Sequence, residues 1–357
     1  YIPMSDALTQ GLNPQQKQAV TTGTGPTLVL AGPGSGKTGV LTRRIAYLIN
    51  VMRADPYSIM AVTFTNKAAG EMNERVEKYL GRRVRGLSVG TFHATCARIL
   101  RTEHAHLPHH KPNFVIYDTD DQTNLIQQAM EALRLDTKLN KPRSVLGVIS
   151  AAKNELITPE DFIPQDYLGE VAARVYPQYT NLLRSSNAMD FDDLLLETAL
   201  LMQRHKGVRE KYQSRYQFVL VDEFQDTNMV QYELVKLFSA PQNNVFVVGD
   251  EDQSIYAFRG ADYRNIIRFR EDYPDATTIL LEQNYRSTQI VLDVARAIIN
   301  RNTNRTPKAL FTDRVGGDPI EILEAFDEDN EARTIMQIIE TLHLNEGYSL
   351  SDFAIMY

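Results

Sequence analysis

Five short apolar runs punctuate the chain: "TLVLAG" (27–32), "IMAVTFT" (59–65), "LSVGTFH" (87–93), "FVLVDE" (218–223) and "VFVVGD" (245–250). Each is rich in β-branched residues and nearly continuous in its apolar character. The stretches between them repeat their apolar residues at helical spacing. Strands apolar on both sides and spaced by helices predict a parallel sheet covered on both faces. Each run ends in polar residues or glycine, and open α/β sheets place their ligands at that end.

Between about residues 94 and 186 the pattern changes to a largely helical one. Leu125, Ile126, Ala129, Met130 and Leu133 repeat at helical spacing, as do Val145, Leu146, Val148 and Ile149. This predicts a helical insertion over 110–186, within an α/β domain made of 1–109 and 187–279. A second α/β unit is expected over 280–357. Its elements would be a strand in "TILLEQN" (278–284), a helix from Ile290 to Ile299, a strand in "IEILEAF" (320–326) and a helix near 329–343. The terminal "FAIMY" (353–357) reads as a buried strand with no helix after it, so the chain is expected to be a fragment of a longer protein.

Composition narrows the classes. A chain of 357 residues, 43% hydrophobic and 23% charged, is long enough for two or three globular domains. No apolar run approaches the roughly 20 residues that span a bilayer, and no leader opens the chain, which points to a cytoplasmic protein without a membrane partner. Cys96 is the single cysteine, which excludes an intrachain disulfide or a cysteine-based metal site. A net charge of −7 counts against a general polyanion binder, but not against binding along one groove. The local basic clusters, Lys138, Lys141 and Arg143, then Arg301, Arg305 and Lys308, each read when taken alone as solvated surface charge. In "HAHLPHH" (104–110), Pro108 breaks any helix that would align the histidines, and no acid or cysteine accompanies them, so a metal site is disfavoured.

Two motifs carry chemistry. "AGPGSGKT" (31–38), read against G-x-x-x-x-G-K-[ST], follows an apolar run and leads into a helical pattern. Gly32, Gly34, Ser35 and Gly36 would turn backbone N–H groups onto phosphate oxygens at a helix N-terminus. Lys37 would reach the β and γ phosphates, and Thr38 would offer a hydroxyl to Mg²⁺. "FVLVDEFQD" (218–226) ends a strand in two acids: Asp222 for Mg²⁺ and Glu223 to orient or deprotonate water.

The ordered blocks "LNPQQ", "GPGSGKT", "VTFTNKAA", "GTFHATC", "MDFDDLL", "VDEFQDTN", "GDEDQSIYAFRGAD" and "LEQNYRS" resemble superfamily 1A DNA helicases of the UvrD/Rep/PcrA type, over nearly the whole chain. The resemblance implies a RecA-like core, with ATP and Mg²⁺ as cofactors and single-stranded DNA or its duplex junctions as partner. It also implies 3′→5′ movement, with repair or replication proteins as further partners. By resemblance Gln16 reads adenine, and a side-chain amide can indeed donate and accept at once along the adenine edge. Tyr285 stacks on the base, Arg286 reaches the γ-phosphate, and Gln253 touches that phosphate or the attacking water. Phe64, Phe191, Tyr256 and Phe258 line the DNA path, with Thr65, Asn66, Thr91, His93 and Arg259 on backbone or sugar.

This chain departs from the family at two of these positions. Gly39 stands where the family has arginine over the adenine, which predicts looser base selection. Phe258 replaces a tryptophan, and the chain contains none. Later family motifs would lie beyond Tyr357, so residues 1–357 alone are expected to bind nucleotide but hydrolyse it poorly. An ATP-gated DNA-binding module without productive unwinding is the alternative. A small-molecule P-loop kinase fits the aromatic blocks poorly.

Overall fold

The computed structural model describes residues 4–254, 262, 264–301 and 306–356. Two short helices, α1 (Met4–Thr9) and α2 (Pro14–Thr21), precede β1 (Thr27–Ala31) and α3 (Lys37–Asn50). Two strand–helix pairs follow, β2 (Ile59–Thr63) with α4 (Asn66–Leu80) and β3 (Ser88–Thr91) with α5 (Phe92–Thr102). The chain then leaves through β4 (Val115–Tyr117), α6 (Thr119–Ala132), α7 (Pro142–Asn154), α8 (Tyr167–Ser185) and β5 (Ala188–Asp190). It returns through α9 (Phe191–Arg204), α10 (Lys206–Arg215), β6 (Phe218–Val221), α11 (Met229–Ser239) and β7 (Val245–Gly249). Then come α12 (Arg264–Asp272), β8 (Thr277–Leu281), α13 (Gln289–Ile299) and α14 (Glu328–Glu346).

The main sheet has strand order β3-β2-β6-β7-β1-β8, and every pairing in it is parallel. Alternate residues of each strand serve opposite faces. Leu28 and Leu30 of β1 join Val219, Val221, Val245 and Val247 against Phe92, Leu194 and Phe238 from α5, α9 and α11. Val29 and Ala31 join Leu220, Phe246 and Val248 against Leu41, Ile45, Met72 and Val76 from α3 and α4. Fully burying one such aliphatic side chain is worth roughly 1.5–3 kcal/mol. The two faces therefore hold the strand tips, and the loops they launch, in fixed places.

The helical stretch forms its own core, with Ile126, Met130, Val145, Ile149, Val175 and Tyr179 from α6, α7 and α8 packed together. A two-stranded parallel ladder, Val115↔Ala188 to Tyr117↔Asp190, clamps its entry to its exit.

The second unit differs from expectation. The strand expected to open it, β8, is the edge strand of the main sheet and pairs with β1 from Thr27↔Thr277 to Ala31↔Leu281. Its Ile279 and Leu281 complete the cluster around Val29, and the pairing covers an otherwise open edge of β1. Residues 320–326 and 353–356 form no ladder among the described residues. Ile322, Phe326 and Met356 are exposed. An apolar run becomes a strand only where a neighbour takes its backbone hydrogen bonds. No described helix is long and apolar enough to cross a membrane.

Candidate nucleotide site and strand cleft

Between β1 and α3 the chain turns twice through left-handed backbone, at Gly34 (φ 65°) and Gly36 (φ 85°). A side chain on Gly34 would begin 2.7 Å from Asn284 Nδ2, and one on Gly36 would begin 3.1 Å from Gln16 Nε2. Only glycine meets both demands. The first position of the loop pattern is filled by Ala31, the last residue of β1. Gly36 caps α3 with no side-chain acceptor, so the first N–H groups of the helix face outward beside Lys37 and favour an anion.

Lys37 Nζ donates to Gln253 Oε1 at 2.7 Å and lies 3.5 Å from Glu223 Oε2. These residues come from the loop after β1, the tip of β7 and the tip of β6. Asp222 is buried beside Glu223, and the Thr38 side chain lies next to its carboxylate. Burial, then the Glu223 charge, push its carboxyl up to about 6. A hydroxyl and a carboxylate side by side suit a hard, oxygen-preferring cation such as Mg²⁺, so this pair fits the implied metal. Glu223 itself adopts left-handed backbone (φ 49°), a strained conformation that turns its side chain out of the strand line.

Gln225 holds this corner together, although its spacing in the sequence does not single it out. Its Nε2 donates to Glu223 Oε2 (2.9 Å) and Asp226 Oδ2 (3.3 Å), and its Oε1 accepts from Asp250 N (2.9 Å). Gly249 leaves room for it, since a side chain there would begin 2.8 Å from that Oε1.

"QNYRS" closes over the loop. Tyr285 N donates to Gly34 O at 3.0 Å, and Asn284 Nδ2 to Pro33 O at 2.6 Å. The Tyr285 ring is half-exposed, with its hydroxyl accepting from Asn13 Nδ2 at 3.0 Å. Arg286 is exposed at the rim. Gln16 is 5% exposed: its Nε2 donates to Ser35 O, and its Oε1 accepts from Asn13 N in a capping box. Part of its amide is thus spent on holding the loop. Around Gly39 there is open space.

From this corner a cleft of about 1430 Å³ runs between the main sheet and the helices α6 and α7. Thr38, Asp222, Glu223 and Gln253 line it, and so do Phe64, Thr65, His93 and Phe191. Phe191 opens α9 and is 47% exposed, with His93 edge-on to it at 5.8 Å. Burial lowers the His93 pKa, which favours a neutral aromatic ring. Thr65 and Thr91 cap α4 and α5 through their hydroxyls. Thr91 is buried and Asn66 is the exposed first residue of α4, and neither lines the cleft. Tyr256, Phe258 and Arg259 lie outside the described residues.

The insertion contributes Gln122, Arg143, Ser150 and Asn154 to the cleft. Of these the sequence flagged only Arg143. Of the "HAHLPHH" histidines, His104 Nδ1 lies 3.1 Å from Arg101 O, His110 Nε2 lies 3.1 Å from Ala188 O, and His106 packs on His205.

A parallel sheet with a phosphate loop at one strand tip and paired acids at another defines a P-loop NTPase core of the RecA-like α/β class. The comparisons narrow that class. The chain belongs to the UvrD/REP helicase family: the UvrD/REP helicase N-terminal domain matches residues 12–274, and the UvrD-like helicase C-terminal domain matches residues 279–357. It is 46% identical over 354 residues to the ATP-dependent DNA helicase PcrA of Staphylococcus epidermidis, a match covering 99% of this chain and 48% of that protein. The protein of the same name from Staphylococcus aureus is 45% identical over the same shares. The chain spans about half the length of these curated relatives.

Proposed function

We propose that the protein is an ATP-dependent DNA helicase that moves 3′→5′ along single-stranded DNA. Hydrolysis between two RecA-like lobes would drive each step. The observation that carries this reading is the shared cleft, which brings Glu223 and Gln253, both in contact with Lys37, together with Phe64, His93 and Phe191. Residues 1–109 and 187–279, together with the rest of β8, act as the first lobe, 110–186 as an insertion flanking the strand, and the residues after β8 belong to the second lobe.

ATP binds with its phosphates on the N–H groups of residues 32–38 and on Lys37. Thr38 and Asp222 hold Mg²⁺, which supplies charge neutralisation on the phosphates. Glu223 takes a proton from water as the water attacks the γ-phosphorus and ADP leaves. Gln253 gives up Lys37 to the γ-phosphate and reports its loss. Arg286, from the second lobe, adds positive charge where negative charge grows in the transition state. Tyr285 and Gln16 hold the base, loosely because residue 39 is glycine, so GTP is turned over at a rate close to that of ATP.

Bases of the bound strand stack on Phe64 and Phe191, and by the family resemblance on Tyr256 and Phe258, while Thr65, His93 and Arg259 approach backbone or sugar. Such stacking needs no sequence preference. Duplex junctions and repair or replication proteins in the cytoplasm are the proposed partners.

The test is ATP turnover with and without oligo-dT, in the protein and in its Lys37→Ala variant, followed by strand separation of a tailed duplex. Stimulation abolished by Lys37→Ala is expected. Turnover indifferent to oligo-dT would reject the reading, and stimulated turnover without strand separation would leave an ATP-gated DNA-binding module.

A further inference from the structure

Lys308, grouped by sequence among exposed cations, is fully buried at its side chain. Its Nζ lies 2.5 Å from Asp250 Oδ1 and 3.3 Å from Asp252 Oδ2. Two residues earlier, Thr306 donates twice to the intervening Glu251, at 2.6 Å from N and 2.9 Å from Oγ1. Residues 306–308 therefore engage all three consecutive acids that precede Gln253. Those acids build the turn carrying Gln253: its N donates to Asp250 O at 2.9 Å, and its Oε1 accepts from Lys37 Nζ at 2.7 Å. The same segment continues into Phe311, whose backbone bonds to Glu282 O and Asn284 N. One short strip thus touches both the Gln253 turn and the "QNYRS" segment over the phosphate loop.

A buried ammonium is tolerated only where carboxylates face it, and buried carboxylates need that cation in return. Among the described residues Asp250 Oδ2 is buried without a hydrogen-bond partner, and Oδ1 takes Asp252 N and Lys308 Nζ, so Lys308 is the one cation there that faces this charge. Three acids beside a triphosphate site would otherwise repel both one another and the γ-phosphate.

We propose that Lys308 is a positioning residue that ties the second family region to the γ-phosphate-sensing turn, and so lets the protein distinguish a nucleoside triphosphate from a diphosphate. The proposal rests on the ATP-dependent reading above. Lys308 touches no reacting atom; it acts by holding Gln253 against Lys37.

The test compares affinities for ADP and for the β,γ-imido analogue of ATP, with Mg²⁺, in the wild-type protein, Lys308→Met and Lys308→Arg. Lys308→Met is expected to keep ADP affinity within about twofold and to weaken the imido analogue about tenfold, the scale of one charge-assisted hydrogen bond. Lys308→Arg should restore most of the difference. If Lys308→Met fails to fold, the pair Asp250→Asn with Lys308→Met removes both buried charges, and the same selective loss is expected. Wild-type discrimination in the variants, or a parallel loss for both nucleotides, would overturn the proposal. Wild-type protein binding neither nucleotide would instead remove the ATP-dependent reading, and this proposal with it.

Discussion

Lys37 faces a carboxylate and an amide that arrive from two other strand tips, and the proposed chemistry turns on that meeting. Replacing Glu223 by Gln keeps its size and removes its basicity. Single-turnover hydrolysis should fall roughly 10²–10⁴-fold, with ATP binding kept within a few fold. Unchanged hydrolysis would move the base elsewhere. Gln225→Met keeps the volume of a buried side chain while removing its hold on Glu223 and Asp250. A stability loss of about 1–3 kcal/mol in denaturant titration is expected, together with slower turnover. Loop, acids and Gln253 were legible because each sits in a short contiguous motif. Gln225 was not, since its bond to Asp250 reaches 25 positions along the chain and only folding makes its amide a junction between two strand tips. Lys308 was misread for a related reason: a cation in a polar stretch looks solvated until its acids arrive from 56 and 58 positions away.

Element by element, five strands were legible from their apolar runs, because burial on both faces leaves an unambiguous signature. The sixth run, 278–284, was expected to open the second unit, but the strand it forms pairs with β1: its pattern states that it is a buried strand, not which edge receives it. Residues 320–326 carry a strand pattern with no described neighbour to pair with. The insertion is fastened by charge as well as by packing. Lys153 of α7 reaches Asp190 at 2.7 Å and Asp193 at 2.6 Å, at the start of α9, while Asn228 donates to Asn154 at 2.6 Å. These bonds fix the base of Phe191. Lys153→Met leaves two buried acids uncompensated, and a loss of about 3–5 kcal/mol in the unfolding free energy is expected. Burial, then the Asp190 charge, push Asp193 up to about 7 and Asp192 up to about 6. Both sit above the unfolded carboxylate value of about 3.9, so the folded state holds these protons more tightly. Their contribution to stability is complete in acid and fades as pH rises through about 6 to about 7. Melting temperatures should fall as pH rises from about 4 to about 7 and level off above that, and Asp193→Asn should flatten the slope.

At the scale of the whole molecule, the sheet tips and the insertion surround one connected space, which joins a phosphate corner to an aromatic wall. The sequence suggested both ends through separate motifs. It left α7's share of the wall unseen apart from Arg143, because Ser150 and Asn154 lie on a helix whose pattern reads only as core and surface. If this space is a strand path, Phe191→Ala should weaken oligo-dT binding by about 1–3 kcal/mol without changing any base preference. A change confined to particular bases would instead indicate sequence readout.

Linkage makes coupling between the two ends reciprocal: a nucleotide that alters the grip on DNA is itself gripped differently when DNA is bound. The most direct measurement is therefore the affinity of the protein for oligo-dT with ADP, and again with a non-hydrolysable ATP analogue, at one salt concentration. The account predicts at least a fivefold difference, the lower end of ordinary coupling free energies of about 1–3 kcal/mol. Equal affinities in the two nucleotide states would contradict it.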